Sequence, residues 1–158
     1  MSEPAQPPTS QQPLFQIEKL YVKDLSLEVP NAPQVFMQAE SPQLEVQVRN
    51  EASQFAEALF EVTVTVTVTA RAGEKTVFLA EAAQAGIFSV RGIAPEDLDS
   101  LLGIGCPTIL YPYVREVISD LVTRAGFPPV VLAPVSFEQV YMERRRQTSA
   151  EPKIEIAS

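Results

Sequence analysis

A chain of 158 residues, 46% of them hydrophobic, has the length of one domain with a buried core. Twelve Lys and Arg against 20 Asp and Glu leave a net charge of -8, which disfavours nucleic acid and anionic membrane surfaces as partners. With no histidine and a single cysteine, Cys106, the chain has no imidazole base, no Ser-His-Asp triad, no His-ligated metal, no intrachain disulfide and no cysteine-rich zinc site.

Met1 to Pro13 is rich in Pro, Gln and Ser and lacks the basic and apolar regions of a secretory signal, so it reads as a disordered arm before one domain spanning 14–147. No stretch approaches the roughly 20 apolar residues that cross a bilayer. A lone thiol suits a reducing compartment, and the expected location is cytoplasmic.

Phe15, Ile17, Tyr21, Leu25, Leu27 and Val29 fall on odd positions, opposite Gln16, Glu18, Asp24, Ser26 and Glu28, which predicts a half-buried strand over 15–29. Pro30-Asn31-Ala32-Pro33 breaks it, and a loop carries Phe36 and Met37 to Pro42. Leu44, Val46 and Val48 alternate with Glu45, Gln47 and Arg49 in a second, shorter strand. Phe60 to Thr69 alternates valine with threonine, a pattern of β-branched residues made for a pleated sheet. Ala72-Gly73-Glu74 then turns the chain into a fourth strand over 75–90, antiparallel to the third.

Pro95 opens a short helix that ends at Gly103, and a longer one begins at Pro112, carries Val114, Val117, Ile118, Leu121 and Val122, and stops at Gly126. After the apolar loop 127–134, Ser136 caps a last helix that runs to about Gln147, followed by a mobile tail over 148–158. The predicted class is α+β: a four-stranded antiparallel sheet followed by two main helices packed on one face.

Several features suggest chemistry and each has a plainer reading. Cys106 has no base near it in sequence and reads as a small buried hydrophobe. Gly103-x-Gly105 lacks the third glycine of a phosphate loop. Glu96, Asp97 and Asp99, like Arg144-Arg145-Arg146, suit the dipoles of the helix ends they occupy. No catalytic residue, metal ligand or cofactor is expected, and the chain is not read as an enzyme. The loop with Phe127, Val130, Val131 and Leu132, and the one with Phe36 and Met37, either cover core or present apolar surface to a partner. Asp24, Ser26 and Glu28 on strand one, and Leu79 and Glu81 on strand four, form either an ordinary solvated face or an acidic docking surface.

Tyr21-x-Lys23-Asp24, Pro30-Asn31-Ala32-Pro33-x-Val35-Phe36, Gly86-Ile87-Phe88, Cys106-Pro107-x-x-Leu110-x-Pro112-Tyr113-x-Arg115-Glu116 and Phe127-Pro128 with Leu132-Ala133-Pro134-Val135 occur in this order. Together they resemble the SecB family of bacterial protein-export chaperones, from about Phe15 to Tyr141. The resemblance implies an ATP-independent holdase that binds unfolded preproteins and delivers them to the SecA translocation motor. It also implies a homotetramer, a dimer of dimers, with Val117 and Leu121 in the assembly core. By the same resemblance Phe36, Met37, Phe127, Val130 and Leu132 would bind clients, and Asp24, Glu28, Leu79 and Glu81 would dock SecA. The family's tail is a second contact with the motor, whose zinc belongs to that partner. The alternative is a SecB-like control module with one dedicated partner, for example in a toxin-antitoxin system.

Overall fold

The computed structural model describes residues 12–150, and side chains as far as 148. The expected arm therefore lies outside the described residues up to position 11, and the expected tail lies outside them beyond 150. Strands β1 (Leu14–Glu28), β2 (Gln43–Ala56), β3 (Leu59–Ala72) and β4 (Lys75–Arg91) form one antiparallel sheet in the order β1-β4-β3-β2. Helices α1 (Pro95–Ser100), α2 (Cys106–Arg124) and α3 (Phe137–Ala150) follow, completing the α+β architecture read from the sequence.

The alternation in β3 sorts its side chains without ambiguity. Val62, Val64, Val66 and Val68 are fully buried beneath α2, and the threonines face the other way. Leu110, Val114, Ile118 and Val122 of α2, spaced four apart, lay a fully buried stripe over this ladder. Each such side chain contributes about 1.5–3 kcal/mol by leaving water. Because α2 rests on β3 and β4, the apolar faces of the edge strands stay half open, with Leu25 of β1 48% and Val46 of β2 44% exposed.

Three features differ from the sequence reading. β2 continues to Ala56, well past Arg49, and turns into β3 through Glu57 and Ala58. Its second half is poor in strand formers, but pairing with β3 along its length holds it extended. In β1, irregularities between Ile17 and Lys19 and between Val22 and Asp24 change the phase of the alternation. Leu20 and Val22 therefore pair with Gly86 and Gln84 on the α2 side, while Tyr21, expected there, sits on the outer face opposite Ala85.

The third difference is at Gly103. It does not end a helix: one π-helical turn, Leu101–Gly105, joins α1 to α2, which begins at Cys106 and carries Pro112 inside it. Pro107 has no N–H for the Gly103 carbonyl four residues back, and Asn50 Nδ2 donates to that carbonyl at 3.4 Å. Glycine is needed there for close approach, since a Cβ would lie 2.8 Å from the Tyr141 ring of α3. At the other end of α2, Gly126 has φ +93°, with Gly126 N–H donating to Thr123 O at 3.0 Å and Phe127 N–H to Val122 O at 3.2 Å. This is a Schellman ending, and it sets the direction in which Phe127 leaves the helix. Ser136 Oγ accepts the Gln139 N–H at 3.3 Å to start α3, which continues past Gln147 to Ala150.

Candidate polypeptide-binding groove and acidic face

The loop after β1 and the loop after α2 meet over the turn end of the sheet. Asn31 Nδ2 ties the first loop to the Thr76 carbonyl at 2.8 Å, and a short 3-10 turn, Gln34–Met37, then lifts Phe36. Tyr111 ties the second loop to α2 by donating to the Ala133 carbonyl. Burial raises the Tyr111 hydroxyl pKa above its usual value, against a smaller opposing effect of Arg115.

Between the loops runs a row of three rings. Phe36 stacks on Phe127 at 5.2 Å between centroids, and Phe127 contacts Phe78 of β4 at 5.0 Å. Phe78 belongs to the core, Phe127 is half-buried and Phe36 is 48% exposed, so the row leads from interior to solvent. A groove of about 440 Å³ follows it, walled by Leu44, Val77, Pro128, Pro129 and Val130. Gly126 lies beneath Phe36, where a Cβ would approach the ring to 3.2 Å. Met37, the next residue of the same loop, is 87% exposed. Val130 and Leu132, both expected at this surface, are instead buried in the core, Val130 forming the groove wall from beneath, because the two alternate inward while Val131 points out. Phe78 and Gly126 were not anticipated: the first reads as an ordinary strand residue and the second as a helix stop.

On the opposite face of the sheet, register brings four predicted residues together. Glu28 pairs with Leu79, Ser26 with Glu81 and Asp24 with Ala83 across the β1–β4 seam. Asp24 and Glu28 are exposed, and Leu79 and Glu81 are half-buried. Thr67 Oγ1 donates to Glu81 Oε2 at 2.7 Å, and Arg49 Nη2 stands 3.9 Å from Glu81 Oε1. Farther along, Lys23 and Tyr21 both donate to Glu61, a cluster the assumed alternation of β1 had concealed. The Lys23 hydrogen bond, then that of Tyr21, holds the Glu61 carboxyl below its usual pKa. Burial first, and Glu61 second, push the Tyr21 hydroxyl up to about 12.

The remaining candidates are scattered. Val117 and Leu121 are half-buried along the flank of α2. Asp99 accepts the Tyr141 hydroxyl, Arg144 Nη2 donates to the Asn50 carbonyl at 3.3 Å, and the Arg145 guanidinium lies 5.7 Å from the Tyr141 ring centroid. Among the described residues no three acidic or cysteine side chains group as metal ligands, and no helix is long and apolar enough to cross a membrane.

Cys106 is fully buried, which pushes its thiol up to about 12. Near pH 8 that leaves about one thiolate in ten thousand molecules. A disulfide reagent is therefore expected to label the native chain at least about a thousandfold more slowly than the chain in concentrated guanidinium, followed by absorbance. Equal rates would show an accessible thiol.

The α+β scaffold thus carries an apolar groove that opens from the core between two anchored loops, and the class of protein that shares this sequence is that of the protein-export chaperones. The family described as preprotein translocase subunit SecB matches residues 8–148. The protein-export protein SecB of Chromobacterium violaceum is 59% identical over 136 residues, covering 86% of this chain and 91% of that one. That of Aromatoleum aromaticum is 59% identical over 146 residues, covering 92% and 90%. The chain belongs to the SecB family and is a protein-export chaperone. Among solved structures, the SecB-like chaperone of Mycobacterium tuberculosis in complex with a ChAD peptide from the HigA1 antitoxin shares the fold, with a TM-score of 0.64 at 20% identity, covering 77% of this chain and 90% of that one.

Proposed function

We propose that the chain is an ATP-independent, non-enzymatic holdase of the cytoplasm that keeps export precursors unfolded and passes them to the SecA motor. The observation that carries this reading is the ring row Phe36–Phe127–Phe78, which offers apolar area along a groove that leads from the core to solvent. Clients that share no sequence must be held through area and avidity, which such a surface supplies. Phe36 and Phe127 line the groove and take the client together with the exposed Met37 of the same loop, while Val130 and Leu132, both buried, support it from the core. Asp24, Glu28, Leu79 and Glu81 form the motor-docking face, where carboxylates beside an apolar side chain suit a basic partner surface.

Assembly as a dimer of dimers is supported by the half-open apolar faces of β1 and β2 and by the flank of α2 at Val117 and Leu121, surfaces that a single chain covers only in part. The deciding experiment follows light scattering as several unrelated denatured proteins refold at rising chaperone ratios, with the chaperone's mass measured by size-exclusion light scattering. Suppression of aggregation for all of them by a species of about four chains is expected. Activity toward one protein alone would favour a dedicated-partner module, and a monomer would overturn the assembly.

A further inference from the structure

Within the docking patch Glu81 is held differently from its neighbours. Asp24 and Glu28 are exposed on the edge strand, whereas Glu81 sits inside the sheet with its side chain 31% exposed and each carboxylate oxygen approached from a different strand. Thr67 lies directly opposite it in the β3–β4 register, and its hydroxyl donates to Oε2 at 2.7 Å. Arg49 lies one strand farther away, opposite Thr65, and reaches diagonally to within 3.9 Å of Oε1.

The two contacts differ in kind. Threonine is short and stiff at χ1, its strand is hydrogen-bonded on both sides, and a hydroxyl bonded to a carboxylate is a strong, directional contact. Arginine here is long and 62% exposed, at the outer limit of an ion pair, where side-chain entropy and salt leave little net attraction. The first contact survives the arrival of a partner, and the second can be exchanged.

We infer that Thr67 is a positioning residue that fixes the Glu81 carboxylate on the docking face, and that Arg49 is an internal competitor which a partner's basic side chain must displace. This rests on the reading of Asp24, Glu28, Leu79 and Glu81 as the motor-docking face. The arrangement raises selectivity. A surface with one stray cation gains little by replacing Arg49 at Glu81, while a surface that also meets Asp24 and Glu28 gains from all three at once. Arg49, once displaced, adds a positive charge at the β2 side of the patch, so the fitting partner carries basic groups over β1 and β4 and a neutral or acidic one over β2.

The test is a titration of purified SecA motor with the full-length chain at low and moderate salt, for wild type, Arg49→Gln, Thr67→Val, Thr67→Ser and the double change Asp24→Asn with Glu28→Gln. Arg49→Gln is expected to bind about threefold more tightly at low salt, with a steeper salt dependence, as one competing charge is removed. Thr67→Val is expected to bind about three- to tenfold more weakly, and Thr67→Ser close to wild type. Suppression of client aggregation should be the same for wild type and all three single variants, which shows that the fold and the groove are intact. Unchanged or weaker binding by Arg49→Gln, or a Thr67→Val effect that serine does not restore, overturns the inference. If the Asp24/Glu28 double variant binds the motor like wild type, the docking face itself is misassigned, a failure separable from the other because it does not involve Glu81.

Discussion

Phe88→Ala is expected to remove about 3–5 kcal/mol of folding stability, a large share of the roughly 5–15 kcal/mol available to a domain. The ring is fully buried in β4, flanked by Ile17 on β1 and Phe60 on β3, and stacked on Phe15 with centroids 5.6 Å apart. Gly86 makes room for it, since a Cβ there would come within 2.8 Å of the ring. A cavity between three hydrogen-bonded strands cannot close by moving one side chain, which places the loss toward the upper part of the range. With a urea slope of about 2 kcal/mol/M, the unfolding midpoint should fall by about 2 M. Wild type and variant must be compared at one protein concentration, because association adds stability. Phe88→Leu should lose less than half as much, and a midpoint unchanged by alanine would contradict the packing described.

The second large effect is on binding. Removing Phe36 and Phe127 together should weaken the affinity for an unfolded client roughly thirtyfold or more, as aromatic anchors at an interface are each worth about 1–2 kcal/mol and a factor of ten is about 1.4 kcal/mol. The two rings are not equivalent. Phe36 is half exposed and its loss should hardly alter folding, whereas Phe127 rests on Phe78 and its loss should also cost stability. Fluorescence anisotropy of a labelled unfolded protein, read beside thermal unfolding of each variant, separates the two effects. A folded double variant with unchanged affinity would sink the groove as the client site.

How much was legible follows from what each segment depends on. The Val-Thr run of β3 and the four-residue spacing along α2 are decided locally, and the structure repeats them. The second half of β2 is not local: residues 50–56 are extended because β3 lies beside them. The β1 irregularities are equally invisible in a single strand, and they hid the Tyr21–Lys23–Glu61 cluster. Gly103 was misread because a glycine before a helix looks the same whether it supplies a left-handed turn or clearance for Tyr141. Among the site residues, the sequence alone put Asp24 and Glu28 on one face of β1 and Leu79 and Glu81 on one face of β4; choosing these four came from the family resemblance, and the register that joins them belongs to the β1–β4 pairing. Leu132 fell to the core because its loop alternates like a strand.

Phe78 and Leu79 are consecutive residues of β4, the one inside the groove and the other on the acidic face. The proposed client and motor surfaces are thus in antiphase on a single ribbon, separated by one peptide unit rather than by a domain. Any sideways slip of β4 by one residue would exchange the two side chains and erase both surfaces at once, so they can be inherited only as a pair. The tight β3–β4 hairpin at Gly73, with φ +60°, is the clasp that keeps them in step.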